Sequence, residues 1–189
     1  MIGSITHQQC WNRACDCFAT AKIFERRAQR LRGNIDWLSY LGIGVPSVFG
    51  AMVLAWGNSI LSNPALMFIV GALGVIQVGV SVTSIVKKWP DELAYANRSA
   101  AANFELSDQF KLLGLTAQSP SSTLQQDFVI LVGKDQARSG QDAEKHVTDK
   151  EISWGHRHGL KQFGKACAKC NEVPFDMKPS NCSVCGDFR

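Results

Sequence analysis

The chain has 189 residues, 46% of them hydrophobic and 19% charged, and a formal net charge of +4 at neutral pH. This mild basicity comes largely from Arg and Lys clusters beside one apolar block, so charge alone does not argue for nucleic acid. Outside the block about 140 residues remain, split into a short arm and a longer C-terminal part, which excludes a large enzyme core.

The arm occupies residues 1–33. From Thr6 to Leu31 the residues Trp11, Ala14, Phe18, Ala21, Phe24, Ala28 and Leu31 recur at intervals of three or four, with Arg13, Glu25, Arg26, Gln29 and Arg30 between them. This periodicity predicts an amphipathic helix, suited to a partner helix or an anionic leaflet. Gly33 is expected to break it.

From Trp37 to Val86 there is no Asp, Glu, Lys or Arg. The block divides at Gly57-Asn58-Ser59 and Ser62-Asn63-Pro64, leaving about 20 apolar residues on each side, enough for a helix to cross ~30 Å of hydrocarbon. Residues 34–88 therefore read as a transmembrane hairpin, with spans over 37–56 and 65–86. The competing reading is a buried helix pair in a soluble protein, but such helices are shorter and keep a polar stripe. Trp37, Tyr40, Trp56 and Trp89 stand where lipid headgroups would lie. Arg26, Arg27, Arg30 and Arg32 precede the first span and Lys87 and Lys88 follow the second, which predicts an inner-membrane protein with both termini cytoplasmic. The late start and the second span argue against a cleaved signal peptide.

Within the hairpin, Ser47, Ala51 and Ala55 form a small-residue ridge, and Gly71 and Gly79 flank Val75 on the facing candidate. These five are candidates for close helix packing in lipid. Pro46 is expected to kink the first span. Gln77 is the most polar side chain at membrane depth. Two roles stay open for it: hydrogen bonding between helices or, with Ser81, Thr83 and Ser84, lining a wet path between protomers.

Residues 89–146 read as cytoplasmic helices and a linker. Asp91 and Glu92 suit the start of a helix over Asp91–Leu113, whose apolar side carries Leu93, Ala96, Ala100, Phe104, Leu106, Phe110 and Leu113. That side suits the arm or self-association. A loop at Ser119-Pro120-Ser121-Ser122 precedes a helix over Leu124–Arg138, although Phe128–Val132 fits a short strand equally well. The polar stretch Ser139–His146 reads as a flexible linker.

Residues 147–189 open with Thr148-Asp149-Lys150-Glu151, which has capping-box spacing and predicts a short helix ending near Gly164. Cys167-x-x-Cys170 and Cys182-x-x-Cys185 follow, with eleven residues between the pairs. Two such pairs are the sequence form of a four-thiolate site holding one structural zinc ion, with no open position for catalysis. Two disulfides are the alternative, disfavoured on a reducing cytoplasmic side; an iron–sulfur cluster fits this spacing less well. Asn171 and Gly186 follow the pairs and suit tight turns. Cys10, Cys15 and Cys17 lack a second compact pair and read as free thiols, with palmitoylation or redox roles as remoter alternatives.

Two patterns are decoys. Gly159 to Ala166 resembles a phosphate-binding loop, but Ala166 replaces the hydroxyl residue and no strand precedes it. His156 and His158, beside Arg157, read as a basic helix surface and not as metal ligands. No Ser/His/Asp or paired-carboxylate arrangement has supporting context, so no enzyme is expected.

The whole reads as an all-α membrane protein: a two-helix transmembrane hairpin, cytoplasmic helices and a small C-terminal zinc ribbon. A helical arm, a two-span hairpin and a long helical tail resemble the SLATT proteins, small bacterial membrane proteins of conflict and antiviral systems. The tail, with Trp154-Gly155, Lys161-Gln162-Phe163, Met177-Lys178-Pro179 and both cysteine pairs, is similar to a mobilome group described by its Cys-x-x-Cys, eleven, Cys-x-x-Cys spacing. The resemblance implies a pore-forming, homo-oligomeric effector embedded in membrane lipid and triggered by a sensor protein. A rival expectation is a membrane-tethered adaptor. Its ribbon would bind protein or, less favoured, nucleic acid through Lys161, Lys165, Lys169 and Lys178 with His156, Arg157 and His158.

Overall fold

A computed structural model describes residues 7–57, 62–116 and 122–189. Among the described residues five helices follow in order: α1 His7–Trp56, α2 Pro64–Val86, α3 Trp89–Thr116, α4 Ser122–Ala143 and α5 Asp149–Phe163. No strand occurs among the described residues, which settles Phe128–Val132 as helix. Two compact units result. One comprises residues up to Arg26 together with Ala96–Arg189, and the other Arg27–Tyr95.

In the first unit, the apolar stripe of the arm finds its partner within the same chain. Cys10, Ala14 and Cys17 of α1 meet Leu106, Phe110 and Leu113 of α3 and Leu131 of α4 in a buried core. Leu124, Phe128, Val132 and Phe163 pack around it. Small residues let the helices approach closely: Ser107 Oγ donates to the Ala14 carbonyl at 2.8 Å, and a Cβ on Gly114 would lie 3.2 Å from Cys10 Cβ. At the edge, Lys22 and Lys111 sit over the rings of Phe18, Phe104 and Phe163 at 5.1–5.7 Å, using cation–π attraction to cover aromatic surface.

Two sequence expectations fail here. Gly33 does not end the arm, because α1 continues through it and through Pro46 to Trp56. A lone glycine costs a helix only about 1 kcal/mol, too little to offset the hydrogen bonds on either side. Ser139–His146 is no flexible linker either, since α4 extends to Ala143 and buries Asp142 at 5% exposure. Ser99 Oγ donates to Asp142 Oδ1 at 2.7 Å and Asn103 Nδ2 to Oδ2 at 2.8 Å. Arg138, one turn earlier, adds a 2.7 Å ion pair. A buried carboxylate with such partners anchors the end of α4 to α3.

The second unit contains the apolar half of α1 together with α2. Gly57, left-handed at φ 58°, closes α1 with its N–H on the Val53 carbonyl. Asn63 caps α2, accepting from the N–H groups of Ala65 and Leu66, with Pro64 in the first turn. Residues 58 and 59 of the expected turn lie outside the described residues, as do Thr6 and most of the loop expected at Ser119 to Ser122. Ser122 itself opens α4.

Candidate metal centre and hairpin interior

The C-terminal centre is built on α5. Thr148 caps that helix with its side chain on the Glu151 N–H, and Glu151 returns a bond to the Thr148 N–H, completing the capping box. At the other end Gly164 is left-handed at φ 59°, and the N–H of Lys165 closes on the Leu160 carbonyl. The decoy loop from Gly159 is therefore the last turn of a helix and its cap.

Beyond Gly164 the chain makes two matching turns. The N–H of Asn171 reaches the Cys167 carbonyl at 2.9 Å, and the N–H of Gly186 reaches the Cys182 carbonyl at 2.8 Å. Asn171 takes the left-handed φ of 57° that the sequence suggests. Gly186 is needed for a different reason: a Cβ there would lie 2.6 Å from the Ser180 carbonyl oxygen, so only glycine fits. The turns are joined by an irregular loop in which no strand forms, so the expected ribbon reduces here to two cysteine turns.

The four sulfurs of Cys167, Cys170, Cys182 and Cys185 lie within 4.8 Å of one another. Cys167 and Cys182 are 3.9 Å apart and Cys170 and Cys185 3.7 Å. A tetrahedral thiolate site with metal–sulfur bonds of about 2.3 Å has sulfurs separated by ~3.8 Å, whereas a disulfide requires about 2.05 Å. These distances fit a metal ion held by four sulfurs. The electrostatics agree, since the N–H groups of Cys185 and Val184 bring the Cys182 thiol down to about 6. Cys185 is pushed up by burial and by its sulfur neighbours. A bound cation reverses that last effect by deprotonating the thiol.

α5 grips the centre from one side. Arg157, 8% exposed, donates from Nε to the Asp176 carbonyl at 2.9 Å, from Nη2 to Asp176 Oδ1 at 3.1 Å and from Nη1 to the Cys185 carbonyl at 3.3 Å. Ser153 Oγ donates to the Ser183 carbonyl at 3.1 Å. Arg157 is thus an internal clasp, contrary to its expected place on a basic surface. His158 is half-buried against Trp154, and burial with nearby Lys22 lowers its pKa. Its share of a phosphate-binding face shrinks accordingly.

The opposite side of α5 carries Gly155 and Gly159. A Cβ on Gly155 would fall 2.6 Å from Ile23 Cγ1 and 2.8 Å from the Ala19 carbonyl oxygen, and one on Gly159 3.0 Å from the Cys15 carbonyl oxygen. Sequence reasoning missed this contact, although Gly-x-x-x-Gly on a helix was a signal for it. Cys10, Cys15 and Cys17 are buried free thiols. Burial followed by Asp16 raises Cys15 to about 11, and burial followed by Asp135 raises Cys17. High thiol pKa values argue against reactivity.

In the hairpin unit, the half-buried seam runs through Leu38, Gly42, Val45 and Phe49 of α1 and Leu66, Val70, Gly74 and Gln77 of α2. Gln77 Nε2 lies 3.6 Å from where a Gly42 Cβ would stand, so its amide faces the other helix of the pair. Ser84 is buried, Ser81 half-buried and Thr83 exposed, with Thr83 Oγ1 bonded to the Gly79 carbonyl at 2.9 Å. Ser47, Ala51, Ala55, Gly71 and Gly79 are all exposed, so they do not join α1 to α2. Leu38, Val45, Phe49, Leu66 and Val70 share the seam with Gly42, Gly74 and Gln77.

An all-helical body with a four-cysteine tail defines the class. The chain matches the family described as "Mobilome CxxCx(11)CxxC protein" over residues 7–188, and it belongs to that family. No curated protein and no solved structure matches it.

Proposed function

We propose that this protein is a non-enzymatic membrane effector of a mobile genetic element. It acts in bacterial conflict or antiviral defence as the SLATT proteins are thought to, as a homo-oligomer that permeabilises the membrane when a sensor protein triggers it. The observation that carries this reading is the outward face of the hairpin. Leu54 is 90% exposed and Phe68 78% exposed, while Gln77 and Ser84 turn inward. In water such a face is costly, and in lipid it is what a span requires. The basic flanks support an orientation with both termini in the cytoplasm at the inner membrane. The exposed ridge of Ser47, Ala51 and Ala55, with Gly71 and Gly79 on α2, suits packing between protomers. Zinc is the ion that best suits four thiolates in a reducing compartment, and its role is structural.

The test is direct. Full-length protein should sediment with membranes, resist alkaline extraction and release dye from lipid vesicles after reconstitution. Protein that stays in the supernatant without detergent overturns the membrane reading; insertion without leakage overturns the pore.

The adaptor reading keeps one observation in its favour. Phe175, 85% exposed, and Val173 lie exposed in the loop between the cysteine pairs, which also carries Lys178, a surface suited to a protein partner. Nucleic acid is less favoured now that Arg157 is internal. Oligonucleotide binding with a steep salt dependence would restore it.

A further inference from the structure

The two faces of α5 make it a rod clamped between the cysteine centre and α1. Ser153 and Arg157 are four residues apart and hold the second cysteine turn. Gly155 and Gly159 are also four apart and are offset by two residues, about 200° around the helix. They sit against Cys15, Ala19 and Ile23, where a Cβ would clash at Gly155 and would crowd the Cys15 carbonyl oxygen at 3.0 Å at Gly159.

Three bonds from one buried guanidinium join the loop between the cysteine pairs, the carbonyl of a cysteine ligand and the helix that carries the glycines. We propose that Arg157 is a positioning residue that couples occupancy of the four-thiolate centre to the seating of α5 on residues 15–23 of α1. The inference rests on the metal reading above and adds a consequence for a segment that touches no ligand. When the sulfurs are drawn together around an ion, the Cys185 carbonyl and the Asp176 loop are fixed, and with them the guanidinium and the glycine face. When the ion leaves, the clasp loses its fixed acceptors and the glycine face loses its register. Coupling of this kind is reciprocal. Whatever metal does for the seating of α5, the seating of α5 must do for metal affinity by the same factor.

The test uses the full chain in detergent micelles, with hydrogen exchange at residues 15–23 as one readout and zinc affinity as the other. Stripping zinc with a chelator should raise exchange at residues 15–23 by about tenfold or more and leave residues 99–110 of α3 protected. Arg157→Ala should raise exchange at residues 15–23 while zinc is still bound, and weaken zinc about 10–100-fold, as loss of a group that orients a ligand does. Gly155→Ala, which touches no group near the sulfurs, should unseat α5 and weaken zinc by up to the factor by which zinc strengthens that seating. It also decides the matter if Arg157→Ala loses protection throughout. Zinc release with unchanged exchange at residues 15–23 overturns the coupling and leaves the metal site standing. Gly155→Ala that unseats α5 at full zinc affinity overturns the coupling as well. A chain that takes up no metal overturns both.

Discussion

Phe24 and Phe110 lie buried at the centre of the first unit, whereas Phe68 and Leu54 stand on the outside of the hairpin. Polar groups are reversed in the same way. In the first unit the buried Asp142 is held by Ser99, Asn103 and Arg138. The hairpin turns its amide inward, and two of its hydroxyls donate to their own helix, Ser47 to the Ile43 carbonyl and Thr83 to that of Gly79. Both units obey one rule, that polar groups must be satisfied and apolar surface must be covered. On the proposed membrane reading they differ in what does the covering, which is why apolar content alone does not reveal where a core lies.

The comparison can be broken most severely at the centre. Cys167→Ser should abolish tight metal binding and unravel the tail, because apparent binding energies for structural zinc reach about 10–16 kcal/mol in small peptides. Metal content by mass spectrometry and protease sensitivity beyond Gly164 measure the loss, and full zinc retention would contradict the four-sulfur assignment. A smaller break falls in the helical body. Asp142→Ala takes the carboxylate from the half-buried Arg138 and from Ser99 and Asn103, and should cost about 3 kcal/mol, read as a lower midpoint of thermal unfolding. The smallest effect belongs to the hairpin. Gln77→Leu should preserve insertion and change hairpin stability by only about 0.6 kcal/mol, the usual value of a hydrogen bond between helices in lipid. Vesicle leakage sharpens this last case: leakage abolished by Gln77→Leu would return the amide to a wet path, and leakage retained would leave it as a contact between helices.

Local chemistry was legible in the sequence and long-range partnership was not. The capping box at Thr148, the end of α5 at Gly164 and the two cysteine pairs depend on residues within a few positions of each other, so spacing alone located them. The arm's apolar stripe also predicted its buried face, through Ala14, Ala21, Phe24 and Ala28. Arg157 looked like one basic residue among several because its acceptors lie 19 and 28 positions away. Asp142 looked like linker for the same reason, its partners Ser99 and Asn103 being about forty residues upstream. Gly186 was placed correctly with the wrong cause, since a sequence shows where a glycine sits but not which backbone passes beside it. Spacing could not say which side of the hairpin the small residues Ser47, Ala51, Ala55, Gly71 and Gly79 occupy, and all five are exposed.

The seven thiols are unequal, and the inequality says how chemical stress would enter the molecule. Those of the arm are buried, and burial holds Cys15 and Cys17 high, whereas the N–H groups of Cys185 and Val184 lower Cys182 on a half-buried turn. An electrophile would therefore strike the tail first and leave the arm untouched, making the C-terminus the fuse of the protein.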